Sequence, residues 1–177
     1  MPSYGLERIA TERMIGERLR PADGKLLGSV LTDPRVAQTL FPDGRPDAAG
    51  VEAILTRHVE HWDRHGFGLW LLRDAVTGRV VGRGGLLRQR IEGRDEVEAG
   101  WAIVPERWRE GLATELAMRS IAAAFETLDL TELISFTLVD NVASRRVMEK
   151  AGFVHEHDFE HVRHPHALYR LRRDGAR

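Results

Sequence analysis

With 177 residues, 42% apolar and 30% charged, the chain has the size and composition of one domain that buries its own core without a structural metal. A formal net charge of −1 supplies no overall field to gather nucleic acid or anionic lipid, and no long run of one sign appears. There is no cysteine, which excludes a disulfide framework, a thiolate zinc site and a cysteine nucleophile together.

The longest apolar runs, such as Ile121 to Phe125, are far too short to cross a bilayer. Met1 to Thr11 lacks the continuous apolar centre of a secretory signal, so the expected location is the cytoplasm. All but two of the 26 basic residues are arginine, which reflects genomic base composition as readily as function.

In chain order, residues 16–20 read as a short strand and 23–31 as a helix that stops before the turn-forming Asp33-Pro34. A longer helix is predicted over 47–65, where Val51, Ile54, Leu55, Val59 and Trp62 fall near helical spacing and Gly66 supplies a stop. Residues 68–74 and 79–89 read as strands joined at Thr77-Gly78. A turn at Glu92-Gly93 leads to a third strand, 96–104, which Pro105 ends. Ala113, Ala117, Ile121, Ala124 and Leu128 then share one face of a helix over 111–128. A strand at 133–138, a helix at 141–151 stopped by Gly152, and strands near 153–159 and 167–171 complete the chain. No repeat, linker or composition shift marks a second domain, so residues 1–177 are expected to form one α/β domain.

Three signals follow one another in the second half. They are Glu98-Ala99-Gly100-Trp101-Ala102-Ile103-Val104-Pro105, then Trp108-Arg109-Glu110-Gly111-Leu112-Ala113-Thr114-Glu115, and later Asn141-Val142-Ala143-Ser144 with Glu149-Lys150-Ala151-Gly152-Phe153. A strand followed by a glycine-containing turn into a helix presents unpaired N–H groups and a positive dipole end to an anion. Gly111 and Ala113 let the backbone of 109–114 come close to phosphate oxygens. Taken alone, such a turn is as well explained by tight strand-to-helix packing. Gly82-Arg83-Gly84-Gly85 lacks the third glycine and the capped helix of a dinucleotide loop, so a Rossmann reading is discarded.

Taken in order, the three signals resemble the acyl-CoA signature of GNAT acetyltransferases, especially the branch that includes ribosomal-protein N-terminal acetyltransferases. The resemblance spans about residues 16–171 and is strong from Glu96 onward; Trp108 departs from the usual Gln or Arg at the start of the superfamily's loop. It implies one mixed, mostly antiparallel sheet of about six or seven strands, flanked by helices, with two middle strands splayed to admit a pantetheine arm. It further implies acetyl-CoA as co-substrate, direct acetyl transfer to a primary amine, and no metal. Implied cofactor contacts are the strand residues Trp101, Ile103 and Val104, the turn residues Arg109, Glu110, Gly111, Leu112, Ala113 and Thr114, and Asn141 and Ser144. The acceptor is a protein N-terminus or a small-molecule amine, with no nucleic-acid or membrane partner; a homodimer is left open.

Amine acetylation needs a neutral nucleophile, a polarised carbonyl and a leaving thiolate. Freeing an α-amine at pH 7 costs only about 1 kcal/mol, against about 4–5 kcal/mol for a lysine, so a weak base suffices for the former. Glu98 occupies the strand position where related enzymes often place a base, and Glu96 on the same strand face is the alternate. Read alone, Glu98 is equally a strand carboxylate among Glu92, Asp95 and Glu96. Ser144 matches a serine near the coenzyme sulfur in this branch, and is otherwise a helix first-turn residue. Asn141 is a helix N-cap, a cofactor contact, or both. A catalytically inactive acyl-CoA-binding sensor is the rival function. His155, His157, His161, His164 and His166 read as strand and turn residues in preference to a metal site, His155 and His157 alternating with Val154 and Glu156. Trp62, Trp70, Trp101 and Trp108 read as packing residues.

Overall fold

The structure, a computed structural model, describes residues 4–173. The ends of the 1–177 span, residues 1–3 and 174–177, lie outside the described residues. Eight strands form one sheet: β1 (Arg8–Ala10), β2 (Met14–Arg18), β3 (Leu69–Asp74), β4 (Val80–Ile91), β5 (Arg94–Ile103), β6 (Glu132–Leu138), β7 (Val154–His161) and β8 (His164–Arg172). Their spatial order is β1-β2-β3-β4-β5-β6-β8-β7. Every neighbouring pair is antiparallel except β5 and β6. The expected six or seven strands become eight because β1, three residues long, carries too little pattern to be read.

Between β2 and β3 come α1 (Gly24–Leu31), α2 (Pro34–Leu40) and α3 (Ala48–His65); α4 (Leu112–Ala122) crosses from β5 to β6, and α5 (Val142–Lys150) from β6 to β7. α3 begins where the Asp47 carboxylate accepts from the Gly50 N–H at 2.8 Å and ends at Gly66 in the left-handed conformation. α4 runs on into a π-helical turn at Ala123–Thr127, so the expected extent to Leu128 nearly holds. Its fully buried face is Leu112, Leu116, Ala117 and Ser120, about one residue round from the predicted one.

The sheet is covered on both faces. On one, α4 buries Leu112, Leu116 and Ala117 against Leu86, Val97, Ala99 and Ile103 of β4 and β5. On the other, α1 and α3 bury Leu27, Leu31 and Leu55 against Leu69 and Leu71 of β3. α3 is pinned beyond the end of β3 by His61. Its Nε2 accepts from the Arg88 N–H at 2.9 Å, so Nδ1 carries the proton and donates to the Phe67 carbonyl at 2.9 Å. Burial holds this imidazole down to about 4, so the neutral form persists through the physiological range.

A buried ion cluster joins the far strands. The Arg170 guanidinium, 4% exposed, donates to Glu96 at 3.0 and 3.1 Å and to Glu132 at 2.9 Å, and also binds Glu156. Replacing Arg170 with Ala strands these carboxylates and should cost about 3–5 kcal/mol in urea unfolding at pH 7. The Arg170 hydrogen bond holds Glu156 below the ordinary carboxylate range. That part of the stability is therefore present at neutral pH and lost as pH falls through the depressed value, so the gap between wild type and variant should narrow in acid.

Candidate active site

β5 and β6 meet at one parallel bridge, Glu98 with Ile134, and then part. In a strand, successive residues aim their N–H and C=O groups at opposite edges. Val104 N–H bonds back to Val81 at 2.9 Å on the β4 side, so Trp101 and Ile103 direct theirs toward β6. Along that edge the Ser135 hydroxyl donates to the Ala99 carbonyl at 2.8 Å, and the Trp108 indole N–H donates to the Ile103 carbonyl at 2.7 Å. What lines the gap is the N–H and C=O of Trp101 and the N–H of Ile103, a partial ladder suited to the amides of a pantetheine arm. Val104 drops out of the expected set, because its N–H is held by Val81 and its C=O accepts from Arg107 at 3.0 Å.

At the C-terminal end of β5 the chain makes a 3₁₀ turn, Pro105–Arg107, and reaches the start of α4 through Arg109 (φ 66°) and Gly111 (φ 82°) in left-handed conformations. Gly111 is the N-cap residue and has no side chain with which to cap. The first-turn N–H groups of Leu112, Ala113 and Thr114 therefore stay open at an exposed helix N-terminus, a concave set of donors that fits a pyrophosphate. Leu112 contributes only backbone, since its side chain is core. Glu110 is half spent: its carboxylate binds Arg107 at 2.8 Å and its carbonyl accepts from Arg13 at 2.6 Å. Arg109 lies exposed beside the turn.

Sequence reading missed Arg13, in the β1–β2 turn. Its backbone N–H and Nε donate to the two carboxylate oxygens of Glu115, at 2.9 and 2.8 Å. With Nη1 on Glu110, this arginine ties the N-terminal strands to the turn that opens α4 across about a hundred residues of sequence, which no local pattern signals.

At α5, Asn141 is an N-cap. Its Oδ1 accepts from the Ser144 N–H at 3.2 Å and its Nδ2 donates to Thr137 at 2.9 Å. Both ends of the amide are thus engaged within the protein. The Ser144 hydroxyl stands half-buried beside this cap. Tyr169 is no free acid: its hydroxyl accepts from Arg145 at 3.0 Å and donates to Glu149 at 3.1 Å.

Glu98 occupies the single β5–β6 bridge, on the face opposite α4. Gln89 donates its amide to one carboxylate oxygen. Burial pushes the Glu98 carboxyl up to about 7, against the smaller opposing effects of the Arg83 charge and the Gln89 hydrogen bond. Glu96 shares that face as expected, but both its oxygens are held by Arg170. Above the face, His58 of α3 is held down to about 3 by burial and by the nearby Arg83 and Arg57 charges, and stays neutral.

The histidines divide into two groups, with His161 and His166 packed edge to face at 5.3 Å beside Phe136 and Phe159 and the other three in ion pairs. His155, His157 and His164 bind Asp158, Glu92 and Asp43, and a bulge between His155 and His157 breaks the strand alternation expected there. Trp62 and Trp70 are core, as expected, whereas Trp108 is 45% exposed and acts through its indole N–H.

Residues 13–154 match the Acetyltransferase (GNAT) domain family, and the chain belongs to it. Acetyl-CoA is the acetyl donor of these enzymes, and an amine is the acceptor. The uncharacterized N-acetyltransferase YoaA of Bacillus subtilis (strain 168) is 37% identical over 149 residues, 84% of this chain and 83% of that protein. An acetyltransferase from Agrobacterium tumefaciens str. C58 has the same fold at TM-score 0.80, with 23% identity and 94% of each chain covered. The ribosomal-protein-S5-alanine acetyltransferase of Vibrio fischeri also shares the fold at TM-score 0.76, with 15% identity over 96% of this chain and 98% of that one.

The turn geometry sets an expectation for binding. Gly111→Glu places a carboxylate and a side chain of unfavoured φ beside the open N–H groups and should weaken acetyl-CoA binding at least tenfold in calorimetry. Arg13→Ala, which frees the turn and leaves its N–H groups intact, should weaken it less. Equal affinity for a folded Gly111→Glu protein would remove the turn from the site.

Proposed function

We propose that the protein transfers an acetyl group from acetyl-CoA directly to a primary amine, with Glu98 as the base and Ser144 serving the leaving thiolate. The observation that carries this reading is a carboxyl held near neutrality at the point where β5 and β6 part. A base whose pKa lies close to the working pH is both ionised often enough and basic enough to accept a proton in the transition state.

Glu98 takes the amine proton, directly or through one water, as the nitrogen attacks the thioester carbonyl. The new C–N bond forms, the C–S bond breaks, and the thiolate is protonated from the Ser144 side, by the hydroxyl or a water it holds. The gap-lining N–H groups of Trp101 and Ile103 align the arm, and the open N–H groups of Leu112 to Thr114 hold the pyrophosphate.

The acceptor is a protein N-terminus or a small-molecule amine. The likeness to ribosomal-protein N-terminal acetyltransferases is carried by the cofactor segment, which does not shape the acceptor side and so does not choose between them. One domain and a cytoplasmic location complete the proposal.

A pH series of steady-state rates with one amine tests the roles. Wild-type kcat/KM should fall as pH drops below about 7, where Glu98 gains its proton. Glu98→Gln should lack that limb, run at least tenfold slower at pH 7, and recover toward wild type as hydroxide replaces the base. Ser144→Ala should lower the rate by a factor that changes little with pH. Glu98→Gln matching wild type throughout would move the base to water acting on a neutral amine. Acetyl-CoA binding with no amine acetylated would favour the sensor instead.

The stability consequence has the opposite sign to that of Glu156. Because the folded Glu98 pKa is raised, its ionisation is penalised in the native state, with no penalty below the unfolded value and the full penalty above about 7. The melting temperature of Glu98→Gln should therefore rise relative to wild type between pH 5 and pH 8.

A further inference from the structure

Among the described residues, one partly buried charged side chain keeps a buried nitrogen without a partner. Arg83 lies on β4 opposite Ala102 of β5 and Leu71 of β3, and its Nε is buried with no hydrogen bond. Among the described residues the favourable charge it meets is that of Glu98, and no hydrogen bond joins the two. Contrast Arg170, whose guanidinium is fully engaged by carboxylates in the same sheet. Arg83 is partly enclosed, with its Nε cut off from water and the rest of the guanidinium reaching solvent, so an anionic ligand arriving from outside could pair with it and offset the cost of that enclosure.

The register shows what lies between Arg83 and Glu98. On their common face the cross-strand rows run Arg83 with Ala102, Gly85 with Gly100, and Leu87 with Glu98. The middle row has no side chains at all. A Cβ built on Gly100 would meet only the Glu98 carboxylate, with Oε1 at 3.3 Å, so that carboxylate leans over bare backbone. The result is a slot floored by two glycines, with a cation at one end and the candidate base at the other. Leu87 and Leu71 pack under Leu55 and Val59 of α3, which carries neutral His58 over the Arg83 side.

We infer that the acceptor is a small primary amine bearing a carboxylate within a few atoms of the amine, the carboxylate docking on Arg83 and the amine meeting Glu98 across the glycine slot. This rests on the transferase reading above and narrows its substrate class. A guanidinium binds a carboxylate through two parallel N–H donors, fixing orientation as well as charge. A polycationic amine would bring further positive charge against Arg83. A peptide N-terminus offers only a carbonyl at that distance, leaving the guanidinium uncompensated.

The test compares alanine, β-alanine and γ-aminobutyrate, each against its carboxamide, in wild type, Arg83→Met and Arg83→Lys. Comparing acid-to-amide ratios between proteins cancels the intrinsic basicity of each amine. In wild type at least one acid should exceed its amide in kcat/KM by about 30-fold or more, the size expected for a desolvated charge pair. That ratio should collapse toward one in Arg83→Met and persist in part in Arg83→Lys. Arg83→Met should also melt no lower than wild type, since it removes a partly enclosed charge that has no ion-pair partner. A second readout needs no turnover: with coenzyme A present, calorimetry should show the N-acetyl acids binding wild type more tightly than their N-acetyl amides. Amides equal to or better than acids in both assays, a ratio unchanged in Arg83→Met, or unfolding of Arg83→Met would each overturn the inference. Selective binding of the N-acetyl acids without acetylation of any amine would sustain it and sink the transferase reading.

Discussion

Backbone N–H and C=O groups at Trp101 and Ile103 face a gap where a continuous sheet would have paired them, and the rest of the site follows from that parting of β5 and β6. Unpaired backbone groups are expensive unless water or a ligand satisfies them. The fold contains the exposure by taking up two of the carbonyls locally, with Ser135 on Ala99 and Trp108 on Ile103. Because β5 and β6 are parallel, their connection must be a crossover, and α4 supplies it. The N-terminus of that helix necessarily falls at the C-terminal end of β5, beside the mouth of the gap. The amide edge and the open N–H groups at the start of α4 are thus two consequences of one topological choice.

Charge is arranged differently on the two sides of Glu98. Toward β8, Arg170 gathers Glu96, Glu132 and Glu156 and removes Glu96 from any catalytic use. Toward β3, Arg83 is left without a counter-ion, close enough to moderate Glu98 but not to neutralise it. Glu98 lies between a satisfied cluster and an open cation. Its proton affinity is set mainly by burial, with Arg83 and Gln89 as smaller opposing influences.

Much of this was legible in sequence. The Asp47 and Gly66 signals bracket α3 as its caps do in the fold, and Gly111, read in the sequence for its missing side chain, takes a left-handed conformation that the sequence pattern does not specify. α2 was missed because Asp33-Pro34 was read as a stop; the same pair serves as N-cap and first helical residue, with Asp33 accepting from Arg35. Arg13 and Arg83 were illegible for another reason. Arg13 matters only because folding brings it to Glu110 and Glu115, and Arg83 only because strand register sets Gly85 opposite Gly100. In the sequence, Gly82-Arg83-Gly84-Gly85 reads as a failed nucleotide loop, and nothing local announces a slot.

The central claim is that the gap edge, and not some other surface, receives the donor. Amide hydrogen exchange resolved to single residues, with and without acetyl-CoA, tests it most directly. Protection should appear at the N–H groups of Trp101 and Ile103 and at those of Leu112, Ala113 and Thr114, while Val104, already bonded to Val81, changes little. Binding of acetyl-CoA with no change in exchange at Trp101 and Ile103 would contradict the account.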